Sequence, residues 1–231
     1  MKAKVVIFDV GGTLINYQGR SIREAMAGVD CPEPIAERVI EVLEKWPSIS
    51  PLISCEISIP KIIERAFQDE RMAIIDKTSF NRLVDMAFII THTPFMLYPD
   101  VLETLAALKK KGIKLGIISN TQWPGELMAR DLDHFQISHY FETMVWSHDF
   151  RFKKPCKNIF FNCLRKMNIA PDDTTIYVGN DVRDDIIGAY SAGMQSVWIN
   201  RRENNPQRDL MRDLAISYWE IWDLRQLIDL V

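Results

Sequence analysis

The sequence has no long hydrophobic run and no block of like charge. No stretch of its 231 residues approaches the roughly 20 apolar residues that a membrane-spanning helix needs. Lys and Arg total 28 and Asp and Glu total 31, so the formal net charge of -3 does not indicate a nucleic-acid-binding protein. The N-terminus opens on a charged, strand-like segment rather than a signal peptide. We therefore expect a cytoplasmic protein that contacts neither a membrane nor nucleic acid.

Cysteine is also scarce. The four cysteines are Cys31, Cys55, Cys156 and Cys163, and they lack the close pairing of a zinc site. They also do not resemble the dense disulfide framework of a small secreted domain. We interpret all four as ordinary thiols in a reducing compartment.

Short apolar runs alternate with helical patterns along most of the chain. Val-Val-Ile-Phe at residues 5–8 is rich in β-branched residues, which is typical of a strand buried on both faces. Further strands are predicted at 113–119, 143–147, 174–179, 195–200 and 216–221, with helices near 101–111, 124–134, 155–168 and 183–193. Repeated strand–helix units favour an α/β fold, with a Rossmann-like parallel sheet between two layers of helices.

The chain between residues 17 and 93 follows a different pattern. Apolar residues recur there at helical spacing, and no convincing buried strand occurs. The predicted helices follow Ser21, Pro34, Ser58 and the pair Thr78 and Ser79. Because the first strand must join the later ones in a single sheet, we predict an α/β core of residues 1–16 and 94–231. Residues 17–93 are predicted to form an all-α insertion.

Polar residues follow four of the predicted strands. These segments are Asp9 to Thr13, Ser119 to Thr121, Lys154 and its neighbours, and the acidic cluster at 180–185. Parallel strands bring their carboxyl ends to one edge of the sheet, where ligands bind in open α/β folds. The glycines that follow Asp9 permit a tight turn whose backbone approaches a ligand closely. The sequence thus predicts one site built from all four segments.

Each of these residues also has a simpler interpretation when it is taken alone. Asp9 would be a turn acid that caps its own loop, and Lys154 would be a solvated charge. Ser119 and Asn120 could cap the next helix, and one of the acids of the cluster could be an N-cap. We assign no role to His92, His148 and Trp123, because such residues are more often packed or exposed than functional.

The order and spacing of the four segments resemble the haloacid dehalogenase superfamily. Its motifs are an aspartate turn, a strand-end Ser or Thr, a Lys and an acidic loop. Their counterparts are FDVGGTLI at 8–15, SNT at 119–121, the Lys-Pro pair at 154–155 and GNDVRDD at 179–185. The resemblance covers nearly the whole chain, including YPDVLETLAALKKKGIKLGIISN at 98–120 and VWINR at 197–201. The helical insertion is similar to the cap domain of subclass I of that superfamily.

The resemblance implies a phosphatase for small phosphorylated metabolites. Asp9 would attack phosphorus and form an aspartyl-phosphate that water hydrolyses, with Lys154 as a fixed positive charge beside it. The phosphate oxygens would bind Gly12, Ser119, Asn120 and Lys154. Mg²⁺ would bind Asp9, the carbonyl of Gly11, Asn180 and Asp185, with Asp181 and Asp184 as open alternatives for the acidic position.

Two residues depart from the pattern of the superfamily. Its phosphatases usually carry a second aspartate two residues after the nucleophile, as general acid and base, but that position is Gly11 here. Loss of one such group typically lowers a rate by about 10²–10⁴-fold, so we expect a slow enzyme. The usual metal-binding aspartate of the fourth motif is Asn180, which offers an oxygen without a charge.

These departures leave two other functions open. A 2-haloacid dehalogenase uses the aspartate to attack carbon, needs no metal and also lacks the second acid, but it normally has tyrosine at that position rather than glycine. The acids of the fourth motif are also unfavourable around a metal-free anion site. A catalytically silent binding protein on the same fold is the other alternative.

Overall fold

The computed structural model describes residues 3–49, 57–71, 75–150, 152–170, 172, 174–203, 205–212 and 216–231. The strands are β1 (Val5–Phe8), β2 (Ile15–Tyr17), β3 (Phe95–Leu97), β4 (Lys114–Ser119), β5 (Thr143–Trp146), β6 (Thr175–Gly179), β7 (Gln195–Ile199) and β8 (Tyr218–Ile221). The helices are α1 (Ile22–Ala27), α2 (Glu33–Ile49), α3 (Ile59–Asp69), α4 (Lys77–His92), α5 (Val101–Lys110), α6 (Gly125–His134), α7 (Lys157–Lys166), α8 (Gly188–Ser191), α9 (Arg208–Arg212) and α10 (Gln226–Leu230). Every strand predicted from an apolar run is present.

Six strands form one parallel sheet in the order β5-β4-β1-β6-β7-β8. The chain first builds from β1 towards β5, and then crosses to the other side of β1 to add β6, β7 and β8. The winding therefore reverses at β1. In open α/β sheets the carboxyl ends of the strands at such a reversal form the ligand-binding crevice. Asp9 directly follows β1 and lies at this crevice.

The sheet is covered on both faces. Val6 and Phe8 pack in one buried cluster with side chains of α5, α6 and α10, whereas Val5 and Ile7 pack in another with side chains of α7 and α8. None of these four strand residues is more than 1% exposed. A strand buried on both faces is what its continuous apolar run predicts. The three-layer, Rossmann-like α/β fold is confirmed.

The helices α1 to α4 lie between β2 and β3. The predicted capping box of Ser21 and Glu24 is present at the start of α1, and Ser58 caps α3 as expected. At α4 the prediction was wrong, because Asp76 caps this helix by accepting hydrogen bonds from the backbone N–H groups of Thr78 and Ser79. The segment is helical, as the apolar stripes predict, and the domain boundaries at residues 17 and 93 stay a prediction.

β2 and β3 form a two-stranded antiparallel ribbon that the sequence did not predict. Ile15 pairs with Leu97, and Tyr17 pairs with Phe95. The pairing continues past the strand, where the N–H of Gln18 donates to the Pro94 carbonyl at 2.8 Å. The chain therefore leaves and re-enters the α/β core through adjacent strands, directly after the turn that carries Asp9.

Two further local predictions need correction. The helix predicted at 183–193 begins as a π-helical turn over Val182–Ile187 before α8 continues it. The helices predicted from the sequence also omitted α9, which begins at Arg208. Cys31, Cys156 and Cys163 are free thiols, and Cys55 lies outside the described residues. None of the helices in the described ranges has the length and apolar character to cross a membrane.

Candidate active site

The turn after β1 holds Asp9 at the centre of the crevice. The N–H of Asp9 donates to the Val178 carbonyl at 2.9 Å, which extends the pairing of β1 with β6 by one residue. The chain then turns back, and the N–H of Leu14 donates to the carbonyl of Val10 at 2.8 Å. Asp9 is only 6% exposed, and its Oδ2 accepts a hydrogen bond of 3.3 Å from the Thr13 hydroxyl. The carboxylate is thus held by its own turn.

Lys154 lies between two carboxylates. Its Nζ donates to Oδ1 of Asp9 at 2.7 Å and to Oδ1 of Asp185 at 2.6 Å. Burial lowers the pKa of Lys154, but the charges of Asp185 and Asp9 outweigh this effect and raise the pKa above its usual range. The ammonium therefore stays charged beside Asp9. Burial and the charge of Asp9 raise the pKa of Asp185 to about 7, although the charge of Lys154 acts to lower it. The cluster therefore carries one net negative charge only when Asp185 is ionised.

Tyr177 is a member of this cluster that the sequence did not reveal. Its hydroxyl accepts from Lys154 Nζ at 2.9 Å and lies 3.1 Å from Oδ1 of Asp185 and 3.0 Å from the Ile118 carbonyl. Burial, followed by the charge of Asp185, raises the pKa of Tyr177 well above its ordinary value. Tyr177 lies within a buried apolar strand, where an aromatic residue is expected to be core, so the sequence offered no signal for this role.

The three acids of the fourth motif have different partners. Asp181 is the N-cap of the π-helical turn, since its Oδ1 accepts from the N–H of Asp184 at 2.7 Å. Asp185 accepts from Lys154 and, through Oδ2, from the N–H of Asp181 at 2.9 Å. Burial and the charge of Asp181 raise the pKa of Asp184. Asp185 therefore reaches Asp9 through Lys154, and its role as a metal ligand stays a prediction.

Asn120 orients the loop that carries Lys154. Its Oδ1 accepts from the N–H of Lys154 at 2.8 Å, while Nδ2 donates to the Lys154 carbonyl at 3.1 Å and to Oδ2 of Asp184 at 3.0 Å. Helix capping is excluded for Ser119 and Asn120, because Pro124 is the N-cap of α6. Ser119 is 4% exposed and lines the site. Phosphate contact by the two residues stays a prediction.

Asn180 presents one end of its amide to oxygen atoms only. This end lies 2.8 Å from the Gly11 carbonyl and 3.3 Å from both Oδ2 of Asp9 and Oγ1 of Thr13. With nitrogen at this end, the amide donates hydrogen bonds to the Gly11 carbonyl, to Oδ2 of Asp9 and to Oγ1 of Thr13. With oxygen there, three of the four predicted metal ligands, Asp9, Gly11 and Asn180, converge, and a cation is needed between them.

The spacing of these oxygens fits magnesium. Adjacent ligands of an octahedral Mg²⁺ at about 2.0–2.1 Å lie about 3 Å apart, close to the separations found here. Carboxylate, amide and carbonyl oxygens are also the ligands that this hard cation takes. Within the described ranges, no group of three or more His, Cys, Asp or Glu side chains could hold a metal. The candidate ligand set is not a cluster of that kind, because it combines the Asp9 carboxylate with the backbone carbonyl of Gly11 and the amide oxygen of Asn180.

A cavity of about 240 Å³ joins these residues. Its lining consists of Asp9, Gly11, Ser119, Asn120, Lys154, Asn180, Asp181, Asp184 and Asp185. Gly12 lines a neighbouring cavity of about 400 Å³ that shares Gly11 and Asn180 with the first. At Gly12 the backbone has a φ of +76°, and a Cβ there would lie 2.7 Å from Nδ2 of Asn180. Only glycine therefore allows this turn to approach Asn180 so closely.

Tyr17 lies against Gly11. A Cβ built on Gly11 would meet Cδ2 and Cε2 of the Tyr17 ring at 3.6 and 3.7 Å, which is ordinary van der Waals contact. The Tyr17 hydroxyl donates to Oδ2 of Asp131 on α6 at 3.0 Å. Tyr17 and Asp131 lie outside the four motifs, and the sequence gave no reason to choose them.

The three residues that received no role connect the helical segment to the core. The rings of His92 and Trp123 lie 6.1 Å apart, and both pack on Phe88. His148 reaches Oγ of Ser58 at the start of α3, with a separation of 2.8 Å from Nε2. None of the three lines the 240 Å³ cavity. Their contacts are those of packed residues.

Known proteins are similar to this chain in sequence. The family model of the haloacid dehalogenase-like hydrolases matches residues 6–199. The glyceraldehyde 3-phosphate phosphatase of Methanothermobacter thermautotrophicus is 29% identical over 244 residues, which cover 99% of each chain. The phosphoglycolate phosphatase of Shigella boydii is 32% identical over 234 residues, which cover 95% of this chain and 90% of that protein.

Solved structures share the fold at lower identity. The HAD-hydrolase YfnB from Bacillus subtilis, solved bound to magnesium, superposes with a TM-score of 0.65 at 15% identity and covers 100% of this chain and 99% of its own. A 2-haloacid dehalogenase from Pseudomonas syringae gives a TM-score of 0.64 at 23% identity, with 98% and 97% covered. These two likenesses concern the fold alone.

The region matched by the family model contains all four segments of the candidate site. Asp9 and Lys154 lie in direct contact there, as the resemblance in sequence implies for the nucleophile and its lysine. The coverage of the relatives extends over the helical segment as well. The chain belongs to the haloacid dehalogenase-like hydrolase family.

Proposed function

We propose that this enzyme is a Mg²⁺-dependent phosphatase that hydrolyses small phosphomonoesters through an aspartyl-phosphate. The observation that carries the proposal is the ion pair of 2.7 Å between Lys154 and Asp9, at the crevice of the sheet. It sets a positive charge against a nearly buried carboxylate and holds that carboxylate in place, which a nucleophile needs. The phosphatase relatives support phosphorus as the atom attacked.

The side chains on the crevice have separable tasks in this reaction. Asp9 attacks phosphorus, the bond to the leaving oxygen breaks, and water then attacks the phosphorus of the acyl phosphate to regenerate Asp9. Lys154 supplies positive charge beside the nucleophile, and Tyr177 and Asp185 hold its ammonium in position. Asn120 fixes the backbone of Lys154.

The metal completes the balance of charge. Asp9, the carbonyl of Gly11 and Asn180 would hold Mg²⁺, with an acid of the fourth motif in support. When bound, the ion supplies positive charge to the phosphoryl oxygens. When Asp185 is ionised, the net negative charge of the Asp9, Lys154 and Asp185 cluster favours a cation here.

Gly11 has no side chain to protonate the leaving group. Unless another group supplies the proton, turnover with basic leaving groups should be slower by up to about 10²–10⁴-fold than in an enzyme with an acid at this position. Leaving groups that depart without a proton, such as p-nitrophenolate, should be less affected.

A screen for hydrolysis tests the proposal. Purified enzyme is assayed with p-nitrophenyl phosphate, phosphoglycolate and glyceraldehyde 3-phosphate, with Mg²⁺ and with a chelator. Activity is expected with Mg²⁺ only, and acid quenching during turnover of ³²P-labelled substrate should leave label on the protein. Asp9→Asn should abolish both signals without changing the melting temperature by more than a few degrees, whereas Asp229→Asn, at an exposed site, should change neither.

Two outcomes would overturn the proposal. Chloride release from 2-chloropropionate without metal would establish dehalogenase chemistry instead. The acids Asp181, Asp184 and Asp185 argue against it, because they place negative charge around the site that a haloacid would enter. Mg²⁺ binding without hydrolysis of any phosphomonoester would instead indicate a binding protein.

A further inference from the structure

The Tyr17 ring occupies the direction in which a side chain of residue 11 would project. The two ring carbons nearest to a Cβ on Gly11 lie on one edge of the ring, and the hydroxyl group lies beyond them. Tyr17 and Gly11 also line the same cavity of about 400 Å³, next to Asn180. The position left without an acid is therefore adjacent to the edge of a phenol ring, and the hydroxyl of that ring lies more than 4 Å from a Cβ on Gly11.

That hydroxyl is coupled to a carboxyl group. Tyr17 donates to Oδ2 of Asp131 at 3.0 Å, and Asp131 is only 4% exposed. Burial raises the pKa of Asp131 to about 6, although the hydrogen bond from Tyr17 and the charge of His134 act to lower it. Asp131 can therefore exchange a proton near neutral pH, as a general acid and base must.

We propose that Asp131 and Tyr17 supply the proton transfer that Gly11 does not, with Asp131 as the acid and base and the Tyr17 hydroxyl as the relay to the leaving group. The inference rests on the proposed phosphatase function and identifies two further residues for that reaction. Because Tyr17 gains one proton as it gives another, its own charge does not change.

The two half-reactions balance. In the first, Asp9 forms a bond to phosphorus and the leaving oxygen departs with the Tyr17 proton. Protonated Asp131 returns a proton to Tyr17 and becomes a carboxylate. In the second, water attacks phosphorus and the Asp9–phosphorus bond breaks. The water proton passes through Tyr17 to Asp131, so that Asp9, Asp131 and Tyr17 end in their starting states.

Neighbouring groups fix this pair in place. The Tyr17 ring stacks on Phe95 at 6.1 Å and meets the His92 ring edge-on at 5.0 Å. Burial lowers the pKa of His92 to about 4, so it is neutral at the pH of the reaction. His134, on the same helix as Asp131, is the titratable group that adds charge near the carboxylate.

Two aryl phosphates of similar shape test the proposal. Phenyl phosphate has a much more basic leaving group than p-nitrophenyl phosphate, so its hydrolysis depends more on a general acid. Tyr17→Phe and Asp131→Asn should each lower kcat/KM for phenyl phosphate by about 10²–10⁴-fold and for p-nitrophenyl phosphate far less. A merely structural role would lower both alike. Tyr190→Phe and Asp133→Asn remove matched groups from exposed sites and should change neither rate.

A rescue experiment distinguishes loss of proton transfer from misfolding of the variant. Gly11→Asp introduces an acid whose Cβ would make ordinary van der Waals contact with the ring of residue 17, and it should restore phenyl phosphate hydrolysis to the Tyr17→Phe variant. Equal losses on the two substrates, no loss, or no rescue in a variant with unchanged melting would overturn the proposal. If wild-type enzyme hydrolyses p-nitrophenyl phosphate, these failures leave the phosphatase function intact. If it hydrolyses neither substrate, both proposals fall.

Discussion

The Lys154 ammonium lies 2.6 Å from Oδ1 of Asp185, and the side chains of the two residues are 3% and 1% exposed. Both charges are thus nearly removed from water, which is costly unless each is paired. Lys154 pairs with Asp9 as well, so the stability of the crevice and the placement of the nucleophile depend on one side chain.

Lys154→Met should therefore lose both activity and stability. The variant leaves the carboxylates of Asp9 and Asp185 buried without a counter-charge, which typically costs about 3–5 kcal/mol of unfolding free energy. Urea unfolding and phosphatase assays measure the two effects. Lys157→Met removes an exposed ammonium nearby and should alter neither by more than about 0.5 kcal/mol. A Lys154→Met protein as stable as wild type would contradict the prediction.

Gly12 and Gly112 offer a matched pair of substitutions. Both have a φ of +76°, but a Cβ at Gly12 would lie 2.7 Å from Asn180, whereas none of the described atoms lies within 4 Å of a Cβ at Gly112. Gly112→Ala should cost about 1–2 kcal/mol from backbone strain alone. Gly12→Ala should cost more and should also weaken Mg²⁺ binding, as isothermal calorimetry can measure. Equal costs would indicate that Asn180 moves aside freely.

Asn180→Asp should make the fold depend on metal. A carboxylate cannot donate to the Gly11 carbonyl and the Asp9 carboxylate, so without a cation these oxygens repel one another. We expect the variant to be less stable than wild type by about 1–3 kcal/mol in chelator, and to bind Mg²⁺ more tightly. Thermal melting with and without Mg²⁺ gives the answer. A destabilisation that Mg²⁺ does not relieve would argue against the proposed ligand set.

Asp131 and His92 should give stability opposite dependences on pH. The pKa of Asp131 rises from 3.8 to about 6 on folding, so the folded state binds more protons and stability falls as pH rises from 4 to 6. The pKa of His92 falls from 6.5 to about 4, so the unfolded state binds more protons and stability falls as pH decreases over this range.

Two variants separate these contributions. Relative to wild type, Asp131→Asn should gain stability as pH rises from 4 to 6, and His92→Gln should lose it, by on the order of 1–3 kcal/mol in each case. Urea unfolding at a series of pH values measures both slopes. Identical slopes in the two variants would show that neither group titrates differently in the folded protein.

The sequence predicted the sheet well because its strands are continuous apolar runs. It missed the ribbon because β2 and β3 have only 3 residues each, which is too short for a strand pattern to be recognised. The residue that caps each helix was predicted correctly for α1 and α3 but not for α4. At α4, Asp76, Thr78 and Ser79 are all good N-cap residues, and only the backbone geometry selects Asp76.

The candidate site was predictable only where it coincides with a motif. Asp9 and Lys154 were found in this way, and the structure places them in contact. Tyr177 and Tyr17 escaped, because nothing in a strand sequence distinguishes a tyrosine whose hydroxyl binds a functional group from one that fills the core. The assigned roles and the cytoplasmic location stay predictions.

The ribbon of β2 and β3 has a consequence for how such an enzyme can diversify. The chain segments that follow β2 and precede β3 lie so close together that a Cβ on Gly19 would overlap the Thr91 carbonyl group. The helices α1 to α4 therefore enter and leave at one point, and the sheet meets them as a single long hairpin loop. Such a loop can be exchanged or lengthened without altering the register of the six parallel strands. The helical segment and the six-stranded core can thus be inherited separately.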